Sequence, residues 1–135
     1  MPDLILLEGV RGALVPALAG LVEPSHIRAG GVRPDAFPAV ILGLPTAEIE
    51  GRASGGQLVA SLDQLLHIWV RDDDAETGHQ IASAIMAALL DAPRALGGTF
   101  DSWDRPRMTW VADPANEALH GAVALGCTIR WRANQ

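Results

Sequence analysis

The chain has 135 residues, 49% hydrophobic and 19% charged, which fits one globular domain with a real core and excludes a disordered chain. Its formal net charge is −6 and no Lys/Arg cluster builds a basic face, so nucleic-acid binding through phosphate contacts is disfavoured. The one cysteine, Cys127, excludes an intramolecular disulfide and a cysteine-based zinc site.

Large core fillers are few: two Phe, four Trp and no Tyr. That scarcity suits a protein that buries further surface by assembling. The first apolar run, Leu4-Ile5-Leu6-Leu7, is ended by Glu8 and has no basic stretch before it, so it does not read as a signal peptide. No stretch approaches the roughly 18 apolar residues of a membrane span. A cytoplasmic, reducing compartment is the expectation.

Asp3 stands where an N-cap would, and the spacing predicts a helix from about Leu4 to about Ala19. Leu4, Leu7, Leu14 and Leu18 lie near one face, Arg11 interrupts the stripe, and Pro16 should kink or restart the helix. Glu23 to Pro38 is predicted to be a loop, punctuated by Pro24, Gly30, Gly31, Pro34 and Pro38. Val40-Ile41-Leu42-Gly43-Leu44 then reads as a buried strand. Thr46 to Gln57 alternates weakly and loosens at Ser54-Gly55-Gly56, as a long hairpin arm or a flexible loop would.

Leu58 to Arg71 is the next predicted strand. Leu66, Ile68 and Val70 fall on one face; Leu65, His67, Trp69 and Arg71 fall on the other. That mixed second face suggests partial exposure or a contact surface. Asp72-Asp73-Asp74 then opens a helix to about Leu90, with Ile81, Ile85 and Leu89 at four-residue spacing, ended by Pro93. Phe100 to Val111 and Leu119 to Arg132 read as the last pair of strands, joined by a turn at Asp113-Pro114-Ala115-Asn116. In the second, Leu119, Val123, Leu125, Cys127, Ile129 and Trp131 point one way; His120, Ala124, Thr128, Arg130 and Arg132 point the other. The expected class is α+β: a mainly antiparallel sheet of about four strands with an N-terminal helix and one long helix packed on one face, in a single domain over residues 1–135.

Chemistry-bearing motifs fail one by one. Read as a calcium loop, Asp72 to Asp74 would need glycine at the sixth position and an acid at the twelfth; those positions hold Thr77 and Ser83. Helix capping is the reading adopted for the acids. His26, His67, His79 and His120 show no catalytic zinc spacing. Ser54 lacks the leading glycine of a nucleophile elbow, and Gly55-Gly56 and Gly97-Gly98 lack the lysine of a phosphate loop. Cys127, mid-strand on the apolar face, reads as a buried, inert thiol. No catalytic residue, metal ligand or cofactor-binding residue is expected. Trp69, Trp103 and Trp110 accompany Arg71, Arg105 and Arg107, a pairing enriched at interfaces, with sheet packing the favoured reading over a specific contact surface.

The order of the pieces carries more than any one of them. An N-terminal helix precedes Phe37-Pro38-Ala39-Val40-Ile41-Leu42-Gly43. Leu66-His67-Ile68-Trp69-Val70 follows, then an acidic cap and a helix ending Leu89-Leu90-Asp91-Ala92-Pro93. A strand pair ends in His120-Gly121-Ala122-Val123-Ala124-Leu125. Over nearly its whole length the chain resembles the tail-completion (tail-terminator) family of long-tailed phages, prophages and gene transfer agents. The resemblance implies a non-enzymatic structural subunit with no catalytic residues, forming a ring, commonly hexameric, at the head-proximal end of the tail tube. It implies three partners: further copies of the chain, the tail-tube protein and the head–tail connector or stopper. DNA would only pass through the lumen and no membrane is involved. Assembly would take place in the bacterial cytoplasm before incorporation into the particle. Within that expectation the Thr46–Gln57 arm reaches a neighbour or the tube through Glu48, Glu50 and Arg52, with Trp69, Arg71, Arg105 and Arg107 as further contacts. The competing classes are a metal-dependent or composite-site enzyme and a peptide or small-molecule binding module.

Overall fold

A computed structural model describes residues 1–30, 33–113, 115 and 117–133. Gly31 of the predicted loop and Pro114 and Asn116 of the predicted turn lie outside the described residues. The elements in chain order are α1 (Pro2–Ala17), β1 (Ile27–Ala29), β2 (Ala39–Leu42), β3 (Thr46–Ala53), β4 (Gln57–Arg71), α2 (Ala75–Ala88), β5 (Gly98–Trp103), β6 (Arg107–Val111) and β7 (Ala118–Arg132).

Two long strands form the spine. β4 and β7 pair antiparallel over their whole lengths, from Gln57↔Arg132 to Arg71↔Ala118. Along the free side of β4 run β2, opposite Leu66 to Trp69, and β3, opposite Gln57 to Asp63. Along the free side of β7 run β6 and β5. β1 adds to β2 in parallel, so the sheet has seven strands, six of them antiparallel to a neighbour, rather than about four.

Period-two alternation divides the spine. Ala60, Leu62, Leu66, Ile68 and Val70 of β4 join Val123, Leu125, Cys127, Ile129 and Trp131 of β7 in the main core. Both helices pack on that face, α2 through Ile81, Ile85 and Leu89, as their spacing predicted. α1 packs through Leu6, Val10 and the predicted Leu14 and Leu18, with the predicted Leu7 partly buried against the same core; of the predicted leucines only Leu4 stays out. Leu4 is 53% exposed. Arg11 stays outside the stripe. Its guanidinium donates to the carbonyls of Ile27 (2.8 Å) and Pro24 (2.9 Å), tying α1 to the segment that precedes β1. α1 also starts earlier than predicted, at Pro2, with Met1 as its N-cap and no capping bond from Asp3. Pro16 is accommodated in the last turn.

Two other expectations change, and for the Thr46–Gln57 arm the hairpin, rather than the flexible loop, is what forms. The predicted Phe100–Val111 strand is two strands, β5 and β6, interrupted at Asp104-Arg105-Pro106, where Pro106 has no N–H to offer a ladder. The Thr46–Gln57 arm is a paired hairpin strand, closed by a turn in which Gly55 and Gly56 take φ of 75° and 76°, a region glycine enters without strain. The predicted Glu23–Pro38 loop contains β1. At the α2 start, Asp74 alone of the three acids is the N-cap; its carboxylate accepts from Thr77 N–H at 3.4 Å.

Candidate functional site

The sheet face away from the helices carries the polar half of each spine strand. Residues 33–37 cover one end of it. Trp69 sits there in a second small core with Ala39, Ile41 and Ala118, against Phe37. Trp69 is 9% exposed. Its ring stacks on His120 at 4.0 Å between centroids and 5° between planes. The Arg33 guanidinium lies 5.1 Å from the Trp69 ring centroid. Trp69 is therefore enclosed by its own chain, and the structure removes it from the free contact surface expected of it.

Asp113 fixes this cover. Both of its oxygens accept from Arg33, one at 3.0 Å, and the same carboxylate accepts from the backbone N–H groups of Ala115, Glu117 and Ala118. The Arg33 hydrogen bond holds the Asp113 carboxyl at about 2, with the Glu117 and Ala115 N–H groups helping and burial opposing. With every oxygen engaged, Asp113 works as a structural clasp. The partners stand 80 residues apart in sequence, so no local motif announces them.

Under the clasp, His67 Nδ1 lies 2.8 Å from His120 Nε2. Burial lowers the pKa of both imidazoles, and His120 is lowered further by His67 and Arg33 while Asp113 pulls the other way. The two histidines meet because the register sets His67 against Ala122 and Trp69 against His120. Neither spacing nor composition discloses that register, and this pair was missed in the sequence. Beside it is a shallow hollow of about 390 Å³ bordered by Leu44, Asp63, Leu65, His67 and Ala124. Leu44 and Leu65 are 72% and 47% exposed there.

The remaining candidates are scattered over the rim. Glu48, Glu50 and Arg52 are exposed on β3, at one edge of the sheet. Arg105 and Arg107 are exposed at the other edge, between β5 and β6 and at the start of β6. Arg71 is exposed at the end of β4 and pairs with Asp73 at 3.3 Å. The structure thus brings none of them to the Trp69 cluster. Cys127 is buried, and burial, then the Asp104 and Asp63 carboxylates, push its thiol up to about 12, far from a thiolate nucleophile. Among the described residues no three His, Cys, Asp or Glu side chains gather as a metal site, and no helix is long and apolar enough to cross a membrane.

A family model described as tail completion protein gp17 matches residues 9–130. The chain belongs to this tail completion family. The match spans α1 to β7, the same stretch whose order of elements carried the resemblance in the sequence. Membership makes the tail completion protein a structural component of a phage-type tail. A chain in a solved structure titled "Virion of native gene transfer agent (GTA) particle" superposes with a TM-score of 0.62 at 16% identity, covering 93% of this chain and 97% of that one. At that identity the likeness shows a shared fold. A comparison with curated proteins finds no match.

Proposed function

We propose that this tail completion protein is a single tail-terminator domain over residues 1–135 that closes into a ring, six copies round. The ring caps the tail tube at its head-proximal end and joins it to the head connector of a phage or phage-like particle. The family match over residues 9–130 carries this reading, and the gene transfer agent fold supports it. The protein has no enzymatic role: Asp113 is saturated by hydrogen bonds and Cys127 is buried. It needs no cofactor.

The electrostatics suit a channel. Six copies at −6 each carry 6 × −6, or −36, which repels passing DNA from the wall. Among the described residues the sheet leaves one face free of helices and has unpaired edges on both sides, the geometry of head-to-tail contacts that close by rotation. Glu48, Glu50 and Arg52 of β3, with Arg71, Arg105 and Arg107, are the proposed charged contacts to neighbouring copies, the tube or the connector.

The test is light scattering on the purified chain, alone and with tail tubes, beside a variant with Glu48, Glu50 and Arg52 all replaced by serine. The exchange leaves the β3–β4 backbone pairing in place. Ring-sized species or tube-bound protein are expected from the natural chain, and loss of both from the variant. Monomers that ignore tubes would contradict the ring.

A further inference from the structure

We infer that β3 of one copy pairs with β6 of the next, so that the sheet runs on from subunit to subunit with Glu48 set against Arg107. The inference rests on the ring reading and names its subunit contact. β3 pairs only with β4 and β6 pairs only with β7, so each has a second edge free of strand partners among the described residues. They lie on opposite sides of the spine, as a head-to-tail contact requires. Free edges of this kind are the natural templates for strand addition.

The side chains on the two edges match face by face. On β3, Thr46 and Glu48 stand opposite Asp63 and Ser61 and so belong to the open face; Ala47 stands opposite Leu62 and belongs to the helix face. On β6, Arg107 and Thr109 stand opposite Ala124 and Ala122 on the open face, and Met108 opposite Val123 on the helix face. With the helices of both copies on one side, β3 and β6 run antiparallel, so setting Glu48 flush with Arg107 also sets Thr46 flush with Thr109 and Ala47 flush with Met108. That is an opposite-charge pair and a threonine pair on one face and an apolar pair on the other. The partners are available: Thr46, Ala47, Glu48, Arg107 and Thr109 are exposed, Met108 is half-buried, and neither Glu48 nor Arg107 has an ion-pair partner among the described residues. A one-residue slip would place Glu48 and Arg107 on opposite faces, so the register is set by charge and apolar contact together.

The pairing also staggers the copies. Ser61, opposite Glu48, and Leu65, level with Arg107 through Ala124, are four positions apart on β4 (65 − 61). Each copy is therefore displaced along the strands by about 13 Å relative to its neighbour. Closed barrels require such a stagger, which they absorb as strand tilt.

Charge reversal and cross-linking test the contact, each run with and without tail tubes. E48R and R107E, both at exposed positions, should each weaken self-association about tenfold or more by placing like charges together. The double variant E48R/R107E should restore it, and so should an equal mixture of the two single variants. An E48C/R107C variant should give an oxidised ladder extending past dimer; the buried Cys127 does not take part. Association that is indifferent to the reversals, or a cross-linked product that stops at dimer, would overturn the pairing while leaving the ring in place. A natural chain that never self-associates, together with no cross-linking, would sink both.

Discussion

His67 Nδ1 and His120 Nε2 face each other at 2.8 Å, a distance that places one proton between two nitrogens. Both cannot be protonated at those atoms and keep the contact. The groups facing the pair include the Trp69 ring, the Arg33 guanidinium and the Asp113 carboxylate.

A pH dependence follows with a definite sign. Both histidines have lowered pKa values in the fold, so the unfolded chain takes up protons first as pH falls through 6.5. Their stabilisation is present above about 6.5 and is lost as pH falls below it. A second loss sets in between 3.8 and about 2, where Asp113 is protonated in the unfolded chain before the folded one. Thermal unfolding measured from pH 8 to pH 3 should show Tm falling in the first window, and His120→Gln should flatten that limb. An unchanged Tm between pH 7 and pH 5 would count against the pair.

Arg33→Ala removes the clasp. It leaves Asp113 with its three backbone N–H partners and uncovers the Trp69 ring. Expected are a lower Tm and a red-shifted tryptophan emission with easier quenching by iodide. A Trp69→Phe control should remove the added quenching, which assigns the signal to that ring.

Adjacent leucines on β4 should behave oppositely. Leu66 is fully buried in the helix-covered core, whereas Leu65 is 47% exposed on the other face. Leu66→Ala should cost about 2–5 kcal/mol in urea unfolding. Leu65→Ala should stay within about 0.5 kcal/mol. Similar losses at both sites would refute the division of faces.

Gly43 marks the place where the chain leaves β2 for β3. Its N–H donates to Leu65 O at 2.8 Å, and the buried Gln64 side chain donates to its carbonyl at 2.9 Å. An added Cβ would meet that Leu65 oxygen at 2.6 Å, a backbone atom that cannot rotate away. Gly43→Ala should destabilise by about 1–3 kcal/mol, read in the same denaturant titration. Gly12→Ala, where a Cβ meets nothing within 4 Å, is the control expected to hold or gain stability.

The elements legible in the sequence are those with one face buried. β7 alternates cleanly because Val123, Leu125, Cys127, Ile129 and Trp131 all enter one core, and α2 shows Ile81, Ile85 and Leu89 for the same reason. α1 carries leucine on several faces, so spacing alone did not separate the buried Leu6 from the exposed Leu4, and Arg11 in the predicted stripe reaches out to Ile27 and Pro24. β1 is three residues long and exists through parallel pairing with β2, which no local pattern records. The sites depend on register and long-range closure. His67 meets His120 across 53 residues, and Arg33 meets Asp113 across 80. The edge residues Glu48 and Arg107 were legible as exposed charges; their opposite positions on the sheet were not.

Electron microscopy of tail tubes assembled with and without the purified chain tests the central claim most directly. Tubes given the chain should stop at a uniform length and carry one added ring of density at a single end. Tubes that keep growing, or that bind the chain along their sides or not at all, would contradict it.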